Sequence, residues 1–129
     1  MSYNTTKGKR GEYEFSDFLT KIFKKWNYRF RRIGNPEKNK FSLFGDVVVD
    51  NEKCFLRKYF LEAKNHADPD LWSIMREAEQ NARNYNKWGV IAYVIKSGKP
   101  KTGGERLIVM SPQTFEKIVV ELQGYLNNE

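Results

Sequence analysis

Cysteine occurs once, as Cys54, and histidine once, as His66. A lone cysteine excludes a disulfide framework. One cysteine with one histidine also excludes a structural zinc site, which takes four nitrogen or sulfur ligands. Proline is scarce, with four in 129 residues, and no linker-like or low-complexity tract divides the chain. Residues 1–129 therefore read as a single domain, with 1–7 as a flexible tail. Long hydrophobic runs are missing too. The longest clean one, Val90–Ile95, is far too short to cross a bilayer. The start, Met1–Arg10, is polar and basic without the apolar core of a secretory signal. These absences predict an intracellular chain with no membrane partner.

What is present is a core and a concentrated charge. Hydrophobic residues make up 40% and aromatics 15%, too much for a disordered chain. The net charge is +7, and residues 21–40 alone account for it. That block sets Lys21, Lys24, Lys25, Arg29, Arg31, Arg32, Lys38 and Lys40 against Glu37, with Trp26, Tyr28 and Phe30 interleaved. Dense cations among aromatics suit a nucleic-acid backbone, because each neutralised phosphate releases counterions. A solvated basic face is the plainer alternative. Membrane-surface binding fits less well, since the cluster does not lie on one amphipathic helix with a bare apolar face.

Periodicity then orders the chain. Phe15, Phe18, Leu19, Ile22, Phe23 and Trp26 recur at helical spacing, predicting a helix over 11–26. Asn27–Ile33 alternates as a strand, and Gly34-Asn35-Pro36 breaks it. Phe44–Val49 leads into a β-branched strand, 50–53 turn, and Cys54–Lys64 reads as the second strand of the same hairpin. Asp68-Pro69 predicts the start of a helix running to about Tyr85. Strands follow at Gly89–Lys96 and Glu105–Met110. Ser111-Pro112 caps a closing helix to about Leu126, with Phe115, Ile118, Val119 and Leu122 on one face. The order is α-β-β-β-α-β-β-α, an α/β fold.

Three residues of that hairpin can carry chemistry. Asp46 opens one strand and Glu62-Ala63-Lys64 closes the other, and a hairpin sets such ends side by side. Glu62 and Lys64, two apart on a strand, share a face. Two carboxylates with a lysine suit Mg²⁺ bound between protein and phosphate oxygens, with the Ala63 carbonyl as a further ligand. An exposed strand edge with a salt bridge would use the same residues. Acid-x-lysine arises by chance about twice in such a chain. It occurs here once, so its placement matters more than its presence. Glu12 falls about 50° from the centre of the first helix's apolar face, where it could reach the site, and Glu14 falls about 110° away. A first-turn acid favoured by the helix dipole is the alternative for Glu12.

Gly8-Lys9-Arg10-Gly11-Glu12, Gly45-Asp46, Glu62-Ala63-Lys64 and a helix carrying Gln80 before Gly89 together resemble the PD-(D/E)-x-K nuclease superfamily. Within it the pattern is most similar to the archaeal-type Holliday junction resolvases and their phage and viral relatives. The likeness spans roughly residues 7–110. Glycine stands where the family signature has proline before the first aspartate. The resemblance implies a restriction-endonuclease-like core with an added C-terminal strand and helix, its central mixed sheet flanked by helices. It implies Glu12, Asp46, Glu62 and Lys64 as catalytic residues, and Mg²⁺, with Mn²⁺ as a substitute, held by Asp46, Glu62, Ala63 and Glu12. It also implies a homodimer making paired nicks in four-way DNA junctions, in the cytoplasm of a prokaryote or of a virus-infected host.

DNA contacts are expected from Lys9, Arg10, Lys24, Lys25, Arg29, Arg31, Arg32, Lys38, Lys40 and Ser42. Gln80 and His66 are weaker candidates, a plain surface glutamine and a lone exposed histidine being the simpler readings. Two other functions use the same residues. One is a repair- or restriction-type nuclease on linear or flapped DNA; the other is a nucleic-acid-binding module whose acids are structural.

Overall fold

The computed structural model describes residues 3–34, 44–97 and 104–127. The first helix, α1, runs from Tyr3 to Ile22, so residues 3–7, expected as a tail, are helical. It buries Phe15, Ser16 and Leu19, while Phe18 and Ile22 are partly open. A short 3₁₀ turn, Lys24–Trp26, follows, and Asn27 closes it at a φ of 58°. The predicted helix therefore ends four residues early. The Thr20 hydroxyl then accepts a hydrogen bond from the Phe30 amide at 2.8 Å and ties α1 to the first strand.

Strand β1, Phe30–Arg32, pairs antiparallel with β2, Val47–Val49, with Arg32 opposite Val47. Strand β3, Phe60–His66, runs parallel to β4, Val90–Lys96, and β4 is antiparallel to β5, Glu105–Val109. The larger sheet is thus mixed, in the order β3-β4-β5. Six successive residues of β4 are buried, as a central strand covered on both faces requires. The element order is the one expected from the sequence.

The expected hairpin does not form. Residues 54–64 divide into a 3₁₀ turn at Phe55–Lys58 and β3, and the segment just before β2 meets β3 through an isolated parallel bridge between Gly45 and Leu61. Cys54, Phe55 and Leu56 are all buried and join a single core cluster, whereas alternation along a strand would send Phe55 to the opposite face from Cys54 and Leu56. The 3₁₀ turn puts them into the core beside Phe23 and Tyr28.

Alternation along the strands sorts the core into two layers. Leu61, Ala63, Ile91, Tyr93 and Ile95 join Phe15 and Leu19 of α1. Phe60, Val90, Ala92 and Val94 face Ile74, Ala78 and Ala82 of the second helix, α2, Leu71–Asn84. By the same alternation, Glu62 and Lys64 turn to the α2 side of the sheet. The cap of α2 is Asp70 and not Asp68. Its carboxylate accepts from the Ser73 amide at 3.1 Å, a spacing only an acid three residues before Ser73 supplies.

The last helix, α3, Pro112–Asn127, starts as expected, with the Ser111 hydroxyl accepting from the Thr114 amide at 3.1 Å. Its expected apolar face is not the buried one. Ile118 packs on the core, whereas Phe115, Val119 and Leu122 are exposed. Among the described residues no helix is long and apolar enough to cross a membrane.

Candidate active site

The site is built on the outer edge of β3. Gly45 has a φ of 93°, and a Cβ there would overlap the Leu61 backbone. Glycine alone lets the chain approach so closely, and proline, fixed near −65°, could not adopt this angle. Glycine, and not proline, at this position therefore has a local physical reason. The close approach places the Asp46 amide 2.8 Å from the Leu61 carbonyl, while the Asp46 carbonyl accepts from the Ile33 amide at 3.0 Å. The Asp46 side chain then continues the ladder: its Oδ2 accepts from the Ala63 amide at 2.9 Å. The carboxylate is held at a set height along β3.

Backbone groups of one strand residue point to the same edge, so the Ala63 carbonyl is directed to the Asp46 side along with its amide. Glu62 and Lys64 flank Ala63 on the other face. Lys64 Nζ lies 3.3 Å from Glu62 Oε1, and the Glu62 side chain is only 12% exposed. Burial and the nearby Asp46 charge push the Glu62 carboxyl up to about 8, against the pull of Lys64, with Glu77 adding to the rise. Burial lowers Lys64, yet Glu62, Asp46 and Glu77 outweigh it and raise the ammonium above its ordinary range. Two carboxylates that resist joint ionisation beside a lysine form a site short of positive charge.

Glu77 was not among the sequence candidates. It lies on α2 one residue before buried Ala78 and three after buried Ile74, at the margin of the helix stripe that covers the sheet. That position, an acid bordering the inward stripe of the helix packed on the Glu62 face, was readable from helical phase.

Glu12 is fixed differently. Arg32 Nε donates to Glu12 Oε1 at 3.0 Å in a largely buried ion pair, and the guanidinium lies 5.2 Å from the Tyr13 ring centre. Arg32 faces Val47 across the β1–β2 ladder, one residue from Asp46. His66 ends β3 in an exposed position, two residues past Lys64. Gln80 is not brought to the site. It is exposed on α2, donating to Asn84 at 3.1 Å and accepting from Arg83 at 3.0 Å.

The basic candidates divide. Lys24, Lys25, Arg29 and Arg10 are exposed, and Lys9 is half-buried. Arg31 pairs with Asp50 at 3.0 Å and Arg32 with Glu12, so both serve contacts within the fold. Lys38, Lys40 and Ser42 lie outside the described residues.

Among the described residues no three His, Cys, Asp or Glu side chains converge to hold a metal ion. A cation at this edge would rest on Asp46 and Glu62, with the Ala63 carbonyl and water oxygens completing its shell. That donor set suits Mg²⁺, which commonly takes one or two protein carboxylates and keeps several waters. The mutual repulsion of Asp46 and Glu62 is what a divalent ion would relieve. Compared with known proteins, the chain matches no family model, no curated protein and no solved structure.

Proposed function

We propose that this chain is a metal-dependent endodeoxyribonuclease with a restriction-endonuclease-like core, selective for DNA structure and acting on four-way junctions as a homodimer. One observation carries the reading. The Asp46 carboxylate is bonded to the Ala63 amide at 2.9 Å, and Glu62 and Lys64, paired at 3.3 Å, flank that same alanine. The Asp46 carboxylate, the Ala63 backbone and the Glu62–Lys64 pair thus occupy adjacent positions along β3, and this adjacency supports the reading.

Each group then has a part in phosphodiester hydrolysis. Asp46, Glu62 and the Ala63 carbonyl would hold Mg²⁺ or Mn²⁺. When bound, the ion supplies charge neutralisation at the phosphate and a lower pKa for the attacking water. Lys64, with donors and no acceptor, orients the attacking oxygen or meets the charge developing on the phosphate. Glu12, held by Arg32, would anchor an outer-sphere water or a second ion. The exposed Lys24, Lys25 and Arg29 would bind the DNA backbone, which fixes position without reading sequence. A single domain of this size presents one such edge, so paired cuts in two strands call for two copies related by a two-fold axis.

The test is cleavage of a labelled immobile four-way junction beside its linear duplex, in Mg²⁺ or in EDTA, by the wild type and Glu62→Ala. Paired nicks on the junction alone, lost in EDTA and in a variant that still binds, are the expected result. Equal cutting of the duplex would reassign the chain to a general nuclease. Binding without cutting under any condition would leave Asp46, Glu62 and Lys64 as structural groups of a nucleic-acid-binding module.

A further inference from the structure

Helix α3 carries two apolar stripes, and the body of the protein covers only one. Thr114 sits against Gly89, Ile118 packs on the α1-side core, and the Tyr125 ring lies 5.9 Å from that of Phe55. Lys117 donates to the Trp88 carbonyl at 2.7 Å and Glu121 pairs with Lys58 at 2.6 Å, so the charges nearest this stripe are bound as well. Phe115, Val119, Leu122 and Leu126 form the second stripe. At 100° per residue it lies roughly a quarter-turn from the first. All four are open to solvent, at 44 to 64% exposure.

Other open apolar groups share that side of the sheet. Phe18 of α1 leans on Tyr93, with ring centres 5.7 Å apart, and is partly exposed. Ile108, the β5 register partner of Tyr93, is exposed too. With Ile22, these and the α3 stripe leave roughly 600 Å² of apolar side chain in water, taking about 150–200 Å² for a fully open large side chain. The four α3 residues alone make up roughly 370 Å² of it as one stripe, within the range of the largest patches monomers leave open. A stable dimer interface takes about 800 Å² from each partner and is about two-thirds apolar, close to the same area.

We propose that Phe115, Val119, Leu122 and Leu126 form the seam of a two-fold dimer of this chain, with the two α3 helices antiparallel. The four positions are spaced by four, three and four, the interval of a heptad seam. They are also symmetric about the midpoint between Val120 and Glu121. A two-fold axis there sets Phe115 against Leu126 of the second copy, and Val119 against Leu122. The stripe therefore complements itself, as a symmetric interface must.

Charge favours the same occupant. Among the described residues of α3, Glu116 is the one charged residue that borders the stripe besides the bound Lys117 and Glu121, and the axis carries it toward Tyr125 of the second copy, so these residues bring no like charges together. Among the described residues of α3 the stripe itself offers a nucleic acid no cation, and Glu116 alone gives a charged protein little to pair with. The proposal names the partner that the nuclease reading requires, but its test uses neither metal nor DNA, so the two can fail separately.

Sedimentation equilibrium of the full chain in EDTA is the experiment. The wild type is expected at twice the chain mass. Val119→Glu and Leu122→Glu are expected as monomers with unchanged circular dichroism, the dissociation constant rising by about 10²-fold or more. Because both sites are exposed, loss of the fold is not the expected effect. Orientation is read by mixing Phe115→Cys with Leu126→Cys chains under oxidation, which should cross-link together and not separately. Cys54 is buried and does not compete. A monomeric wild type at high micromolar concentration, a dimer that survives Leu122→Glu, or cross-linking of Phe115→Cys with itself would overturn the proposal.

Discussion

The Asp46 carboxylate completes a β-ladder that the backbone leaves open, accepting the Ala63 amide at 2.9 Å two residues beyond the point where its own amide reaches the Leu61 carbonyl. A metal-binding candidate is thus also part of the sheet. Its position depends on how closely Gly45 lets the two segments approach.

Gly45→Ala tests that dependence. The added Cβ meets the Leu61 backbone, and the residue must hold a φ of 93°. The variant should lose about 3 kcal/mol of stability in urea denaturation and, on the proposed nuclease reading, the cutting activity as well. Stability within about 0.5 kcal/mol of wild type would show that the bridge is dispensable.

Glu62 makes apo stability depend on pH. Its carboxyl is pushed up to about 8 from an ordinary 4.5, so across that interval the folded state binds more protons than the unfolded. Stability without metal should therefore fall as pH rises from about 5 to 8. Glu62→Gln should flatten the slope and raise the melting temperature at pH 8 in EDTA. For the same reason Mg²⁺ should bind more tightly as pH rises and release a proton on binding. Calorimetry in buffers of different ionisation enthalpy measures that proton directly.

Arginine 32 and its basic neighbours should separate by assay. Arg32 and Glu12 form a largely buried pair, with side chains 17% and 13% exposed. Arg32→Met strands a buried carboxylate and should cost about 3 kcal/mol of stability. Lys24→Ala, Lys25→Ala and Arg29→Ala should leave stability within about 0.5 kcal/mol and each make the salt dependence of DNA binding shallower by about one. Thermal melts beside binding isotherms at several salt concentrations distinguish the two classes.

On the proposed nuclease reading, Lys64→Ala should keep DNA affinity while cutting falls by about 10²-fold or more. Lys64→Arg keeps a positive charge but replaces a compact ammonium with a planar fork, and should recover little. Full rescue by arginine would mean that charge alone is needed there.

Residue spacing alone determined a good deal of this protein. The apolar runs and turn signals placed β4, β5 and α3 within a residue or two, because a buried strand and a capped helix are local patterns. The order of elements was likewise legible. So was the pairing of Glu62 with Lys64, since alternation puts both on one face whatever the strand pairs with. Tertiary structure decided the rest. Whether Cys54–Leu56 extends as strand or turns inward depends on the aromatic cluster that receives it, which includes residues far away in sequence. Asp46 reaches β3 by a parallel bridge and not a hairpin, because the close approach at Gly45 allows it. Arg32 looks like any other cation of the basic stretch until Glu12, twenty residues earlier, is found beside it. In sequence the Phe115–Leu126 stripe of α3 is the more apolar, and only the packing of Thr114 on Gly89 and Tyr125 beside Phe55 shows that the other stripe is the one covered. Local pattern sets what a segment can be; the neighbours that the fold brings to it set which face is used.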